Sequence, residues 1–302
     1  MARSPKPLAR LLLVGSMLTL AAAPRAAAED AADFAALLRE KSPALVTIKF
    51  VLNVKMGGMM SSMGESENEQ EITGVLIEPD GLVLCSNTQL SGMAGMMRRM
   101  LGSMGEISAT PTDLKLLIGD DTEGAEAELV ARDTDLDLAW IRLKSPPPSP
   151  LRCVNLADSK DAALGMPVYA LKRMGKYFDR VVVLSEARVA GMTHKPRNLM
   201  VPSSALGAMG LPVYAADGKV VGVSVLQMPE PEGGDGNPMR MLSSLGSMEE
   251  MMTGMILPAQ EVAKATRRAK ESAENRGSAP AGDSATREPE SDKPAASGPA
   301  KP

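Results

Sequence analysis

Aromatic side chains are scarce in this chain: 302 residues include one Trp, three Tyr and three Phe. That leaves few rings for an aromatic subunit interface. There is a single histidine, His194, which excludes a His-rich metal site. Two cysteines, Cys85 and Cys153, permit one disulfide or two free thiols, and both options suit an oxidising compartment. The formal net charge is only −4, so no general attraction to nucleic acid or anionic lipid is expected. Past the first apolar run, no segment is long and apolar enough to cross a bilayer. From Glu271 to Pro302 there is no Val, Leu, Ile, Met or aromatic residue. Such a segment buries too little apolar surface to offset chain entropy and is expected to be a disordered tail, 271–302.

The other end has a different composition. Arg3, Lys6 and Arg10 precede a short apolar run, Leu11 to Ala23, and Ala26-Ala27-Ala28 follow it before Glu29. This is the layout of an export signal over residues 1–28, cleaved after a small-residue site. An uncleaved anchor is the competing reading, but the run is short for a span. The mature chain is then expected outside the cytoplasm, periplasmic or extracellular.

Between these ends, about 240 residues suffice for one large domain or two small ones. Phe34, Leu37 and Leu38 recur at helical spacing within Asp33 to Lys41. After Ser42-Pro43 the pattern shortens into strands: Ala44 to Val54, Ile72 to Ile77, Leu82 to Leu84, Leu114 to Ile118, Glu126 to Arg132 and Leu138 to Leu143. Pro79-Asp80-Gly81 supplies hairpin-turn chemistry. Lys144 to Pro150 carries four prolines in seven residues and reads as a stiff linker. The theme then repeats with strands at Pro167 to Leu171, Arg180 to Leu184, Ala187 to Met192, Leu211 to Tyr214 and Val220 to Leu226. A helix over Pro258 to Lys270 closes the pattern, with Arg267, Arg268 and Lys270 near its C-terminal end. Short strands at this spacing imply an all-β fold of two six-stranded antiparallel barrels with short flanking helices. The expected division is 29–143 for the first helix and barrel, 144–150 for the linker, and 151–270 for the second barrel and last helix.

The words between the strands resemble the HtrA/Deg branch of the trypsin-like serine proteases, over roughly Ser42 to Arg268. Thr73-Gly74-Val75-Leu76-Ile77 with Gly81-Leu82-Val83-Leu84 is similar to that family's first hairpin. Asp133 to Trp140 resembles its Asp-x-x-x-Asp-Leu-Ala-Val, and Leu156-Ala157-Asp158-Ser159 its Leu-Gly-Asp-Ser. Asp217-Gly218-Lys219-Val220-Val221-Gly222-Val223 resembles its Asp-Gly-x-Val-Ile-Gly-Ile, and Ile256-Leu257-Pro258 the Ala-Ile-Pro before its last helix. The resemblance implies a trypsin-like fold of the PA-clan type. It also places the family's three catalytic positions. Thr88 stands where the histidine ends a Thr-Asn-Asn-His-Val-Val run, Asp137 keeps the aspartate, and Met209 in Gly207-Ala208-Met209-Gly210-Leu211-Pro212 replaces the serine.

A thioether has no proton to lose and forms no acyl intermediate. A threonine hydroxyl is no base near neutral pH. The resemblance therefore implies a protease homologue that has lost nucleophile and base, with Asp137 held by local backbone donors or water. Gly207 belongs to what would be the oxyanion loop, where Leu211 replaces a second glycine. His194 lies in a polar turn and reads as a solvated loop residue. Cys85 would sit on the wrong barrel for a nucleophile, and Ser203 and Ser204 stand too far before Met209. A serine endopeptidase with unorthodox residues is the alternative. Relatives of this family often carry a peptide-reading PDZ domain after the barrels, and here the barrel region runs into the low-complexity tail. They also often form trimers; with few aromatics to build such an interface, the oligomeric state stays open.

Methionine is abundant, at 23 residues, and sixteen fall in three stretches. Met56, Met59, Met60 and Met63 form the first; Met93, Met96, Met97, Met100 and Met104 the second; Met228, Met239, Met241, Met248, Met251, Met252 and Met255 the third. All three read as insertions between barrel strands. Three roles compete. Short amphipathic helices can use Met to pack on the barrel, and the second stretch fits one helical face. Flexible thioethers also make adaptable surfaces for a protein or peptide, with Met93, Met96, Met97, Met100, Met248, Met251, Met252 and Met255 as the candidate residues. Thioethers further suit Cu(I) or Ag(I), although the spacings look helical rather than chelating. The leading expectation is an exported, non-catalytic homologue that binds a protein or peptide in or beside the old cleft, without metal or cofactor.

Overall fold

Strand β1 (Leu45–Met56) shows how this chain builds a barrel wall. Ile48, Phe50, Leu52 and Val54 are buried, while Lys49, Val51 and Asn53 between them are half-buried and Lys55 is exposed. A pleated strand turns alternate side chains to opposite faces, so one face fills the barrel and the other meets water. The computed structural model describes residues 34–57, 65–101, 107–227 and 254–277. The expected export signal, and the tail from residue 278, lie outside the described residues.

Strands β1, β2 (Glu65–Leu76), β3 (Leu82–Ser86), β4 (Ile107–Ile118), β5 (Ala125–Asp133) and β6 (Leu138–Leu143) close into a first barrel in the order β1-β2-β3-β6-β5-β4. Strands β7 (Pro167–Arg173), β8 (Val182–Thr193), β9 (Leu199–Pro202), β10 (Pro212–Tyr214), β11 (Val220–Val225) and β12 (Met255–Pro258) close a second in the order β10-β11-β12-β9-β8-β7. The pairings within both barrels are antiparallel. This is the expected all-β, two-barrel architecture, and closure removes the sheet edges that would otherwise recruit other strands. Helix α1 (34–41) precedes β1, α2 (Asn87–Leu101) follows β3, and α3 (Ala259–Gly277) follows β12.

The strands depart from the sequence reading where polar residues interrupt apolar runs. β2 begins at Glu65 rather than at Ile72, because its acidic half pairs in register along β1. Lys55 and Lys49 meet Glu65 and Glu69 at 3.0 and 2.6 Å across that pair. The two strands expected over Arg180 to Met192 are one, β8, whose Ser185 and Glu186 pair continuously with Ala170 and Tyr169 of β7. β9 and β12 have four residues each, too short for a periodic signal. Helix α3 starts one residue after Pro258 and runs past Lys270 to Gly277, into the segment expected to be disordered. The crossover between barrels also extends beyond Pro150. The N–H groups of Leu151 and Val154 donate to Pro79 and Leu76, so this segment still lies along the first barrel.

The barrels share a continuous apolar interface. Val46, Ile48, Phe50 and Leu116 fill the interior of the first barrel. Leu82, Leu84, Leu138 and Trp140 join the second cluster instead, with Val213, Val223 and Val262 of the second barrel and α3. Trp140 is buried, and its indole N–H donates to the Thr266 hydroxyl of α3 at 3.1 Å. Thr266 in turn donates to the Val262 carbonyl at 2.9 Å. Lys270 pairs with Glu78 of the β2–β3 hairpin at 2.7 Å. Arg180 grips Glu71 through two hydrogen bonds of 2.6 and 3.2 Å, joining β2 to the base of β8.

Because Trp140 is the only tryptophan, its emission reports this joint. Thr266→Val leaves the buried indole N–H without an acceptor and should cost about 1–3 kcal/mol. Urea unfolding followed by tryptophan fluorescence measures it, and an unchanged midpoint would show that the α3 strap contributes nothing.

Candidate functional site

The β5–β6 turn sets the centre of the site. The Asp133 carboxylate accepts the N–H groups of Asp135 and Leu136 at 3.1 and 2.9 Å, a local arrangement that bends the chain. Asp137 follows with φ of 58°, in the left-handed region that Asp tolerates better than most residues. Its side chain is completely buried. Oδ1 accepts the Thr88 N–H at 2.7 Å. Oδ2 accepts the Ser86 hydroxyl at 3.0 Å and the Leu226 N–H at 3.1 Å. The donors come from the end of β3, the start of α2 and the residue after β11, so a single carboxylate ties the two barrels. Ser86 also accepts the Gln89 N–H at 3.2 Å, as an N-cap of α2 does.

Met209 occupies a turn on the second barrel. The Leu211 N–H donates to the Ala208 carbonyl at 3.0 Å, which places Met209 and Gly210 at its two central positions. Gly210 has φ of 76°, and a Cβ there would stand 2.0 Å from the Ser86 backbone nitrogen. Only glycine both adopts this conformation and lets the loop touch β3. The Gly210 N–H donates to the Ser224 carbonyl, and the Ser224 hydroxyl lies 3.7 Å from the Met209 sulfur. A Cβ on Gly254 would come within 2.7 Å of the Met209 methyl. The thioether is thus seated beside β11 and the residue that precedes β12. Leu211 is buried in the second-barrel core.

Thr88, Asp137 and Met209 therefore meet at one junction. Thr88 contacts Asp137 through its backbone, and Met209 reaches it through Gly210, Ser86 and Ser224. Beside the junction, a cleft of about 470 Å³ opens between the barrels. Ile72, Thr73 and Gln89 line one side, and Lys172, Arg173 and Met209 the other. Burial pulls the Arg173 guanidinium below its ordinary range, opposed by the Asp120 carboxylate. Its Nε–H donates to the Leu45 carbonyl at 3.2 Å.

The other candidate residues are dispersed. Met93, Met96, Met97 and Met100 take helical positions in α2, whose course breaks at Gly92, with φ of 59° and ψ of −164°. Met248, Met251 and Met252 fall outside the described residues. Met255 was expected on an insertion, but it opens β12, pairs with Val225 and packs half-buried against the second core. The barrel wall claims it because Ile256 and Leu257 beside it must be buried. His194, the only imidazole, is exposed in the β8–β9 turn, with Nδ1 2.9 Å from Asn198 Oδ1. Cys85 and Cys153 are free thiols. Burial, reinforced by the Asp137 charge, pushes the Cys85 thiol up to about 12, which leaves no thiolate near neutral pH. Ser86, Ser224, Lys172 and Leu226 escaped the sequence reading. Ser86 alone had a local signal, as the hydroxyl residue just before a helix. Among the described residues, no three His, Cys, Asp or Glu side chains group to hold a metal ion.

Residues 72–223 match the family model of the trypsin-like peptidase domain. The match begins in β2 and ends in β11, and so spans both barrels. No curated protein matches the chain.

Two outcomes follow from these contacts. Asp137→Ala leaves three donors facing a cavity and should cost about 3 kcal/mol or more. The urea midpoint should fall and amide exchange at Thr88 and Leu226 should accelerate; an unchanged midpoint would remove Asp137 from the joint. The raised Cys85 thiol gives a pH dependence. Between its ordinary value of 9.0 and about 12, the folded chain holds a proton that the unfolded chain releases. This contribution to stability is complete below pH 9 and is lost as pH rises toward about 12. Cys85→Ala should lack that share of the alkaline decline in unfolding free energy.

Proposed function

The chain belongs to the trypsin-like peptidase domain family, and we propose that it is an exported, non-catalytic, HtrA/Deg-type member that binds a protein or peptide in the inter-barrel cleft. The observation that carries this reading is the state of Asp137. Its carboxylate is taken up by the Ser86 hydroxyl and by the N–H groups of Thr88 and Leu226, and so works as a structural joint. In a triad the aspartate orients an imidazole, and the imidazole activates a nucleophile. Here the residue beside Asp137 is Thr88, and the turn that faces the joint presents the Met209 thioether. Neither group accepts a proton near neutral pH. The half-buried Met209 instead adds apolar surface to an open cleft, where a flexible thioether adapts to varied ligands.

The export part of the reading rests on the composition of residues 1–28. The branch assignment rests on the sequence words around Asp137 and Gly218. The methionine-rich segments favour a binding surface in a second way. The described residues on either side of the methionine-rich stretch both adjoin the site: Leu226 bonds Asp137, and Gly254 abuts Met209.

The purified protein should not be labelled by a fluorophosphonate probe and should not cleave casein. Met209→Ser alone should also stay unlabelled, because no base adjoins the new hydroxyl. Labelling of the wild-type chain would establish the serine-peptidase alternative and end the non-catalytic reading. A Cu(I) titration against a competing chelator tests the metal alternative, and a site tighter than micromolar would favour it over peptide binding.

A further inference from the structure

We propose that the cleft selects ligands bearing a carboxylate, with the Lys172 ammonium as its charge anchor; this rests on the binding role proposed above. Lys172 lies near the end of β7, and its side chain reaches Gly207, two residues before Met209. Its Nζ stands 2.9 Å from the point that a Cβ on Gly207 would occupy. Gly207, with φ of 61°, both bends the loop and leaves room for the ammonium. A Cβ there would oblige the flexible tip of Lys172 to shift.

The neighbouring charges are committed elsewhere. Glu71, the acidic residue on the cleft lining, is held by both guanidinium hydrogen bonds of Arg180. Arg173 donates to the Leu45 carbonyl and faces Asp120. Among the described residues, by contrast, no hydrogen bond or ion pair holds the Lys172 ammonium, although its backbone pairs with Val183 of β8. Lys172 is half-buried and lines the cleft together with Met209, Ile72 and Gln89. An ammonium in a concave, partly desolvated wall attracts an anion more strongly than one on an open surface. Lysine is a compact point charge that sets no planar requirement, so it suits a single carboxylate beside apolar contacts. Met209 and Ile72 supply those contacts. The ligand class is a peptide that places an Asp or Glu side chain, or its own terminal carboxylate, at Lys172.

The test uses the full-length protein on an arrayed random heptapeptide library, followed by fluorescence anisotropy on retained peptides. Retained peptides should be rich in Asp and Glu or should require a free C-terminus. Replacing the acidic residue by its amide, or amidating the terminus, should weaken binding by about tenfold. These two arms identify which carboxylate is read. Lys172→Met should bind acid and amide forms equally, with its thermal unfolding unchanged. Lys172→Glu should favour peptides with Lys at the selected position. The loss on amidation should shrink as salt is raised. Peptides retained without acidic preference, or a preference that survives in Lys172→Met, would overturn the anchor and leave peptide binding standing. Retention of no peptide at all would overturn both.

Discussion

Asp137 places a carboxyl group completely out of water, and such a group must be met by donors. The donors come from three places that are distant in sequence: Ser86 at the end of β3, Thr88 at the start of α2, and Leu226 after β11. Meeting them fixes where α2 leaves the first barrel and where β11 ends on the second. Gly210 completes the constraint by bringing the Met209 turn against the Ser86 backbone. Most of what is particular about the cleft is a consequence of this joint. A second, apolar joint lies behind it, where Trp140, Leu84 and Val262 share one cluster and α3 straps the barrels together.

A trypsin-like fold builds its cleft between two barrels so that residues from both can meet on a reacting group. The chain keeps that geometry and changes what the meeting residues offer. The Met209 turn presents a thioether, and Asp137 holds two backbone amides and a hydroxyl. Among the described residues, the Lys172 ammonium on the cleft lining has no side-chain partner. In the reading proposed for this site, the cleft works through surface complementarity and one charge instead of proton transfer. Binding of that kind needs only that complementarity persist, whereas catalysis needs a nucleophile and a base.

Particular residues show how much was legible beforehand. Ile48, Phe50, Leu52 and Val54 announce β1 by their period of two, and Pro79-Asp80-Gly81 announces the hairpin after β2. Sequence words singled out Thr88, Asp137 and Met209, and the structure brings these three to one junction. The acidic half of β2 was not legible, because Glu65, Glu67 and Glu69 look like loop until β1 supplies Lys55 and Lys49 opposite. Met255 was read as part of an insertion because Met251 and Met252 stand just before it, while its strand pairing with Val225 is a long-range fact. Lys172 carried no signal, since a lone lysine at a strand end is ordinary until its neighbours are seen to be paired elsewhere.

The sequence by itself determined the class of fold and the number of barrels. Those follow from local periodicity, turn residues and residue type, which need no partner to be read. Tertiary structure alone decided that Asp137 bonds both barrels, that Gly210 is pressed against β3, that Cys85 is buried beside the Asp137 charge, and that the Lys172 ammonium lines the cleft without a partner among the described residues. Each of these depends on which groups are brought together out of water. Burial and hydrogen-bond satisfaction are properties of the packed chain, and no window of neighbouring residues contains them.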